Sequence, residues 1–195
     1  GNAMSSQYET GSAFTTSSAQ WDMQAYVKAV NNDVDDLLGY ANVSIDGDTL
    51  AVGAHQEDSN QTTITNGTTA SSNNSTSRSG AVYVYKRTGT SWAQEAYIKA
   101  VNKHTDDQFG YYAVRLSGDT LAVGAVYEDS NQTTITNGTT ASNNRSSAAS
   151  GAVYVYKRTG TSWAQEAYIK AANANSNDRF GSYLALSGDT LAVGA

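Results

Sequence analysis

The sequence predicts an all-β protein made of tandem four-stranded antiparallel units, and three observations lead to this prediction. The chain of 195 residues repeats itself, since Trp21, Trp92 and Trp163 are evenly spaced (92 − 21 = 163 − 92 = 71). Short runs rich in Val, Tyr, Thr and Ile, which fit a pleated sheet, recur in each period. Gly-containing turns separate these runs. Overlaying residues 21–91 on 92–162 matches roughly 50 of the 71 positions, a signal far beyond chance.

Each period contains four predicted strands, which we designate A to D. Strands A and B are joined by the short turn Gly47-Asp48, and strands C and D by the turn that begins with Thr88-Gly89. The predicted segments are 43–45 and 113–116 for strand A; 49–54, 120–125 and 190–195 for strand B; 80–87 and 151–158 for strand C; and 92–100 and 163–171 for strand D, with a diverged copy at 21–29.

Strand C indicates how the predicted sheets pack. Val82 and Val84 point to one side of the strand, whereas Tyr83 and Tyr85 point to the other, because side chains alternate along a strand. Both sets of side chains are able to bury. This pattern is typical of a sheet that lies between two neighbours.

The connection between strands B and C is the longest in the period. It runs for about 25 residues and is rich in Ser, Thr and Asn. Connections of this length are uncommon in compact domains and are usually functional or mobile. An alternative is that the loop is disordered, because it contains few apolar residues.

The residues at the start of strand A and the end of strand B resemble the FG-GAP repeats of integrin α-chain propellers and of bacterial surface proteins. In the run 106–125, Phe109-Gly110 matches the FG and Gly124-Ala125 matches the GA. The run 178–195 matches better, and the first copy has Leu38-Gly39 in place of FG. The resemblance implies one propeller blade per period, with strand A nearest the axis and strand D at the rim. The repeated Trp92 and Trp163 are then expected to pack between blades near the rim.

The blade interpretation divides the chain into two complete and two partial blades. We predict an expression scar and N-terminal segment with a possible degenerate strand at 1–20, strand D and its connection at 21–38, blades at 39–100 and 110–171, and strands A and B of a partial blade at 180–195. Two blades are too few to close a ring. The chain is therefore expected either to be a fragment of a longer propeller or to form a homo-oligomer in which terminal partial blades pair.

Composition limits the partners of the protein. The net charge of −6 argues against binding to nucleic acid or insertion at an anionic membrane. There is no Cys, so disulfides and thiolate metal sites are excluded, and no apolar run approaches the ~20 residues of a membrane helix. The family resemblance implies an extracellular or cell-surface location, with a bacterial source.

The sequence contains no evident catalytic constellation. His55 and His104 fall at non-equivalent positions of the repeat, and nothing in their spacing places either beside a nucleophile. We expect both to be surface loop residues. There is also no Gly-rich phosphate loop and no zinc signature. The sequence therefore predicts a protein that is not an enzyme.

Acidic pairs in two sets of connections form the candidate metal site. Because strand direction alternates within a blade, the D-to-A and B-to-C connections emerge on the same face. Clustered carboxylates there could bind Ca²⁺, or they could accept hydrogen bonds from backbone amides and shape the turns. The calcium loop of integrin-type repeats is absent, since the A-to-B turn offers only Asp46 and Asp48. The candidate ligands are Asp35, Asp36, Glu57, Asp58, Asp106, Asp107, Glu128 and Asp129.

The functional prediction combines the resemblance with the position of the long polar loops. It describes a non-catalytic recognition or adhesion module whose loop face binds a protein or a carbohydrate, with no cofactor apart from a possible Ca²⁺. The alternatives are a structural repeat that spaces or assembles other domains, and an accessory domain of a larger secreted protein or enzyme.

Overall fold

A computed structural model describes residues 22–195, which form three antiparallel sheets of five, five and two strands. The first sheet, blade 1, contains β1 (Val43–Asp46), β2 (Thr49–Ala54), β3 (Ile64–Asn66), β4 (Ala81–Thr88) and β5 (Ser91–Ile98). Blade 2 contains β6 (Val114–Ser117), β7 (Thr120–Ala125), β8 (Ile135–Asn137), β9 (Ala152–Thr159) and β10 (Ser162–Ile169). The partial blade 3 contains β11 (Tyr183–Ser187) and β12 (Thr190–Gly194). The predicted all-β, propeller-like class is confirmed.

Each complete blade has one more strand than the sequence predicts. The strand order in blade 1 is β1-β2-β4-β5-β3, so the predicted strands A to D are β1, β2, β4 and β5. The extra strand β3 comes from the B-to-C loop and pairs with the outer edge of β5, with Ile64 opposite Ile98. The side chain of Gln61 fixes its entry, because Nε2 donates to the carbonyl of Thr63 and to Oγ1 of Thr65 at 2.9 and 2.8 Å.

The two faces of strand C bury against different neighbours, as its alternation predicts. Val82 and Val84 of β4 belong to the hydrophobic cluster that also contains Val114 and Leu121 of blade 2. Tyr83 and Tyr85 belong to a second cluster, on the side of blade 1 where the segment 22–38 lies. A third cluster joins blade 2 to blade 3. Blades 1 and 2 therefore contribute both of their faces to the core, whereas blade 3 contributes the face that meets blade 2.

A short backbone segment around the FG pair joins one blade to the next. The amides of Gln108 and Phe109 donate to the carbonyls of Arg78 and Ser79 in blade 1, at 3.0 and 3.1 Å. The Phe109 ring is fully buried and meets the rings of Tyr154 and Tyr156 edge-on, with centroids 5.3 and 6.2 Å away. We call residues 106–110 the FG junction. The amides of Arg179 and Phe180 make the same bonds to Ala149 and Ser150.

The diverged copy of strand D is not a strand where the structure describes it. Residues 22–29 have no ladder partner, but they pack on blade 1 as β5 packs on blade 2. Gln24 Oε1 accepts hydrogen bonds from Arg87 and from Trp92 Nε1, and Glu95 of β5 accepts the equivalent bonds from Arg158 and Trp163. Trp21 and the possible strand at 1–20 lie outside the described residues.

The two rim tryptophans differ in burial, which leads to a prediction. Trp163 is 2% exposed, stacked under Arg158 and bonded to Glu95, whereas Trp92 is only half-buried against residues 22–29. We expect Trp163→Ala to cost about 3–5 kcal/mol of unfolding free energy and Trp92→Ala less than half of that. Urea denaturation of both variants measures the difference. Equal losses would contradict the inter-blade packing of Trp163.

Candidate loop-face site

The D-to-A and B-to-C connections lie together at one end of the sheets, and we call this surface the loop face. It consists of residues 30–42, 99–113 and 170–182 between blades and of residues 55–80 and 126–151 within blades. The FG junction hydrogen bonds the D-to-A connection that follows blade 1 to the end of the B-to-C loop in the same blade. The loop face is therefore a composite surface whose parts are fixed to one another by backbone hydrogen bonds.

A buried ion pair supports each B-to-C loop from beneath. Glu57 Oε2 lies 2.6 Å from Lys99 Nζ, and both side chains are almost completely excluded from solvent. Tyr97 donates to the other carboxylate oxygen at 2.7 Å, and the amide of Ser59 donates to Oε2 at 3.2 Å. Desolvation lowers the pKa of Lys99, although the nearby Glu57 carboxylate opposes this shift. The ammonium also donates to Ser79 Oγ, so its hydrogen bonds are provided by the protein.

Blade 2 contains the same network and shows how the connection joins it. Glu128 pairs with Lys170 at 2.7 Å and accepts a hydrogen bond from Tyr168 at 2.9 Å. Asn102, in the connection from blade 1, accepts from Tyr154 at 2.5 Å and donates to the carbonyl of Ser142 at 2.7 Å. Two of the predicted metal ligands, Glu57 and Glu128, are therefore buried partners of lysine and do not reach the surface.

Most of the other predicted ligands shape turns. Asp58 Oδ1 accepts from the amide of Arg78 at 2.6 Å, and Asp129 Oδ1 accepts from the amide of Ala149 at 2.8 Å. Asp36 and Asp107 accept from the amides of Asp33 and His104, each three residues before the acceptor. These contacts are the ones that the turn-shaping alternative predicts.

The remaining pair, Asp35 and Asp106, occupies equivalent positions with a positive φ of 66° and 69°. Asp106 forms an ion pair with Arg78 at 2.6 Å. Within residues 22–195, no group of three or more His, Asp or Glu side chains is disposed to hold a metal ion. Binding of Ca²⁺ by the eight predicted ligands stays a prediction.

Burial changes the acidity of two of these aspartates. Desolvation raises the pKa of Asp107 to about 7, against the opposing effect of Arg145, and raises that of Asp36 to about 6. Because these folded-state values lie above the ordinary 3.8, both groups favour the folded state at low pH. Their contribution is lost as the pH rises from about 4 to about 7.

A cavity of about 310 Å³ opens on the loop face where blades 1 and 2 meet. Arg78 comes from blade 1, Asp106 and Gln108 from the FG junction, and Tyr127, Asp129 and Arg145 from blade 2. Arg145 bridges Asp129 at 2.5 Å and Asp107 at 3.2 Å. The Tyr127 ring also lies 5.4 Å from the guanidinium of Arg179 in the next connection. We call this the junction pocket.

Apart from Asp129, whose copy is Asp58, the junction pocket is lined by positions at which the repeats differ. The segments 57–71 and 128–142 are identical, whereas Arg145 corresponds to Asn74 and Arg78 to Ala149. Asp106 corresponds to Asn177, and Tyr127 corresponds to Gln56. Arg78 and Arg145 were not among the predicted site residues, because single arginines in polar loops give no periodic signal. The buried lysines were also missed, although each recurs with its glutamate at the repeat spacing.

The prediction that both histidines are surface loop residues is wrong for His55. This residue is 3% exposed, and its ring stacks on that of Tyr111 with centroids 4.0 Å apart. Burial also lowers the pKa of its imidazole. The long D-to-A connection brings Tyr111 over a position that the linear sequence places in an isolated polar loop. His104 is half-buried beneath the loop face.

Comparison with known proteins addresses the family. Within residues 22–195, no helix is long and apolar enough to cross a membrane. A search of curated proteins found no match. The model of the FG-GAP repeat matches residues 92–140 and 163–195, which begin at the two rim tryptophans and include both FG pairs. The resemblance predicted from the sequence is confirmed, since these two segments of the propeller-like chain match the FG-GAP repeat.

Proposed function

We propose that this chain is a non-catalytic recognition module of the cell surface or extracellular space, and that its loop face binds a protein or carbohydrate ligand at the junction pocket. The observation that carries the proposal is the composite construction of this pocket. Its wall side chains come from two blades and from the junction that fixes them together. FG-GAP repeats generally serve as binding or structural modules, which agrees with this assignment.

The chemistry of the junction pocket favours binding over catalysis. Both of its carboxylates, Asp106 and Asp129, are already engaged by arginine, and Asp129 also accepts a backbone amide. A general base or nucleophile needs an available proton acceptor in contact with the substrate. By contrast, paired guanidinium and carboxylate groups beside Tyr127 can exchange partners with a polar ligand, as interface hot spots commonly do.

Differences between the repeats also support recognition. The scaffold residues under each loop are the same in both blades, but the pocket positions change from Asn to Arg or from Arg to Ala. A purely structural repeat needs only the shared scaffold. A binding face needs particular side chains at particular blades, which is the pattern observed here.

An array of glycans and matrix proteins tests the proposal. Arg145→Asn and Tyr127→Gln convert pocket residues to those of the neighbouring repeat and should weaken binding about tenfold or more. Arg87→Gln, at the opposite end of the sheet, is the control and should bind as wild type does. Reproducible binding to no array component would favour the spacer alternative. Binding that all three variants retain would place the site elsewhere.

The same array run in Ca²⁺ and in a chelator tests the predicted metal. Because arginines and backbone amides already engage the loop-face aspartates, we expect equal binding in the two buffers. Loss of binding in the chelator would support a calcium site among the predicted carboxylates. Calorimetry of Asp107→Ala plus Asp129→Ala would then assign it.

We further propose that a second copy of the chain covers the exposed end of blade 1. Val43 and Ile45 of β1 are 57% and 63% exposed, whereas the equivalent Val114 and Leu116 of β6 are buried against blade 1. At the other end, β11 is the strand that pairs with β12 among residues 22–195. One end of the described sheets therefore presents an exposed apolar face, and the other end presents an open strand edge. Light scattering at several concentrations is expected to show a dimer or larger assembly, and Val43→Asp should shift it towards monomer. A monomer mass throughout would contradict the proposal.

A further inference from the structure

A second cavity lies away from the loop-face pocket, at the rim between blades 1 and 2. It has a volume of about 280 Å³, close to the lower end of the range for small-molecule sites, about 300 Å³. Ile64 of β3 and Val101 form the blade 1 side, and Tyr156, Trp163 and Ala164 form the blade 2 side. We call this space the rim cavity.

The two walls of the rim cavity are fastened to each other. Asn66 at the end of β3 accepts a hydrogen bond from the amide of Trp163 at 2.7 Å and donates to its carbonyl at 3.2 Å. Trp163 Nε1 also donates to Glu95 of blade 1 at 2.9 Å. The cavity is therefore held open by directed contacts between blades, which preorganises it for a ligand.

The wall contains a buried hydroxyl that the described part of the chain does not satisfy. The hydroxyl of Tyr156 is buried and has no hydrogen bond to any of residues 22–195, although buried hydroxyls are nearly always satisfied. The equivalent hydroxyl of Tyr85, in blade 1, donates to the carbonyl of Lys28 at 3.1 Å. Tyr85 and Tyr156 occupy equivalent positions of β4 and β9, so the difference in hydrogen bonding comes from their surroundings and not from the residue type. A ligand in the cavity that hydrogen bonds to Tyr156 would remove this cost of burial.

The remaining polar groups limit the ligand to an uncharged molecule. Lys99 is the only charged side chain among the cavity residues, and its ammonium is bound by Glu57 and Ser79. The amides of Asn66 and Gln165 are also engaged, the latter with the carbonyls of Gly138 and Thr140. The hydroxyls of Thr62, Thr63 and Thr139 belong to exposed residues at the edge of the cavity. The buried part of the wall offers apolar and aromatic surface together with the hydroxyl of Tyr156.

We propose that the rim cavity binds a small uncharged ring compound, aromatic or alicyclic, that carries one group able to hydrogen bond to Tyr156. The apolar body packs between Ile64 and Trp163, and the polar group meets the hydroxyl that the fold leaves unpaired. The site needs two complete blades. Accordingly, Ile135, the blade 2 copy of Ile64, is 60% exposed where blade 3 has no strands C and D.

Fluorine NMR with 4-fluorophenol as the probe tests the proposal on the full chain. We expect broadening of the probe signal by wild type, and an affinity about three- to tenfold weaker for Tyr156→Phe because one hydrogen bond is lost. Tyr85→Phe removes a hydroxyl that is already paired and should leave the affinity unchanged. Ala164→Phe fills the mouth of the cavity and should abolish binding, whereas Ala93→Phe, its exposed copy on β5, should not.

Two results would overturn the proposal. The first is the absence of broadening with wild type, or the same broadening with Tyr156→Phe and Ala164→Phe as with their controls. The second is displacement or replacement of the probe by D-glucose at equal concentration, which would make the site one for polyhydroxylated ligands. Melting curves of the four variants establish that each is folded before its affinity is compared.

Discussion

Gly80→Ala is expected to destabilise the protein by about 3–5 kcal/mol, because it combines backbone strain with a collision at the FG junction. Gly80 has a φ of 82°, a region that residues with a Cβ rarely adopt. An added Cβ would also overlap the backbone nitrogen and oxygen of Phe109 in the next blade. The substitution should therefore separate the blades as well as strain the strand. Urea denaturation measures the loss.

Gly89→Ala provides the matched control for that prediction. Gly89 has a φ of 61°, but an added Cβ there meets nothing within 4 Å. Its cost should be limited to the strain of the left-handed conformation, about 1–2 kcal/mol. If Gly80→Ala lost no more than Gly89→Ala, the close approach of the FG junction to blade 1 would be wrong.

Lys99→Met is expected to cost about 3–5 kcal/mol, because it leaves the carboxylate of Glu57 buried without its cation. Asp48→Asn breaks the ion pair between the exposed Asp48 and Arg87 but leaves the hydrogen bond from Arg87 to Gln24 in place, and it should cost no more than about 1 kcal/mol. Chemical denaturation of the two variants compares a buried pair with an exposed one in the same blade.

A double substitution separates the charge from the shape of this site. Lys99→Met combined with Glu57→Leu removes both charges and should recover much of the stability, because buried ion pairs are often replaceable by apolar residues. A single Lys99→Met variant as stable as wild type would show that water reaches Glu57. That result would contradict the closed network beneath the B-to-C loop.

Much of the fold follows from the sequence because it depends on repetition and alternation. The 71-residue period and the alternating Val and Tyr of strand C correctly indicate stacked sheets with two buried faces. Strand β3 could not be predicted, since three residues within a polar loop carry no periodic signal. It forms because β5 offers an open edge, and the side chain of Gln94 on β5 donates to the carbonyls of Gly67 and Thr69 just after β3. Strand formation there is a tertiary effect.

The sequence predicts where the loop face lies, but it predicts only part of the contacts that its side chains make. Alternating strand direction correctly places both sets of acidic connections on one face. The sequence does not reveal that Glu57 descends to Lys99, or that Arg145 reaches Asp107 and Asp129, because these contacts join residues far apart in the chain. The burial of His55 was not predicted for the same reason, because the ring that stacks on it belongs to Tyr111 of the next connection.

The FG junction fixes one blade to the next and thereby builds the composite loop face. Hydrogen exchange of the Gln108 and Phe109 amides, read by NMR, tests it most directly, because both donate across the blade boundary. The amide of Gly110, which bonds to Gly124 within blade 2, is the internal reference. We predict that all three amides exchange at similar slow rates, limited by unfolding of the whole array. Rapid exchange of the Gln108 and Phe109 amides beside a protected Gly110 amide would mean that the blades separate freely. That result would contradict the role of the FG junction in fixing one blade to the next.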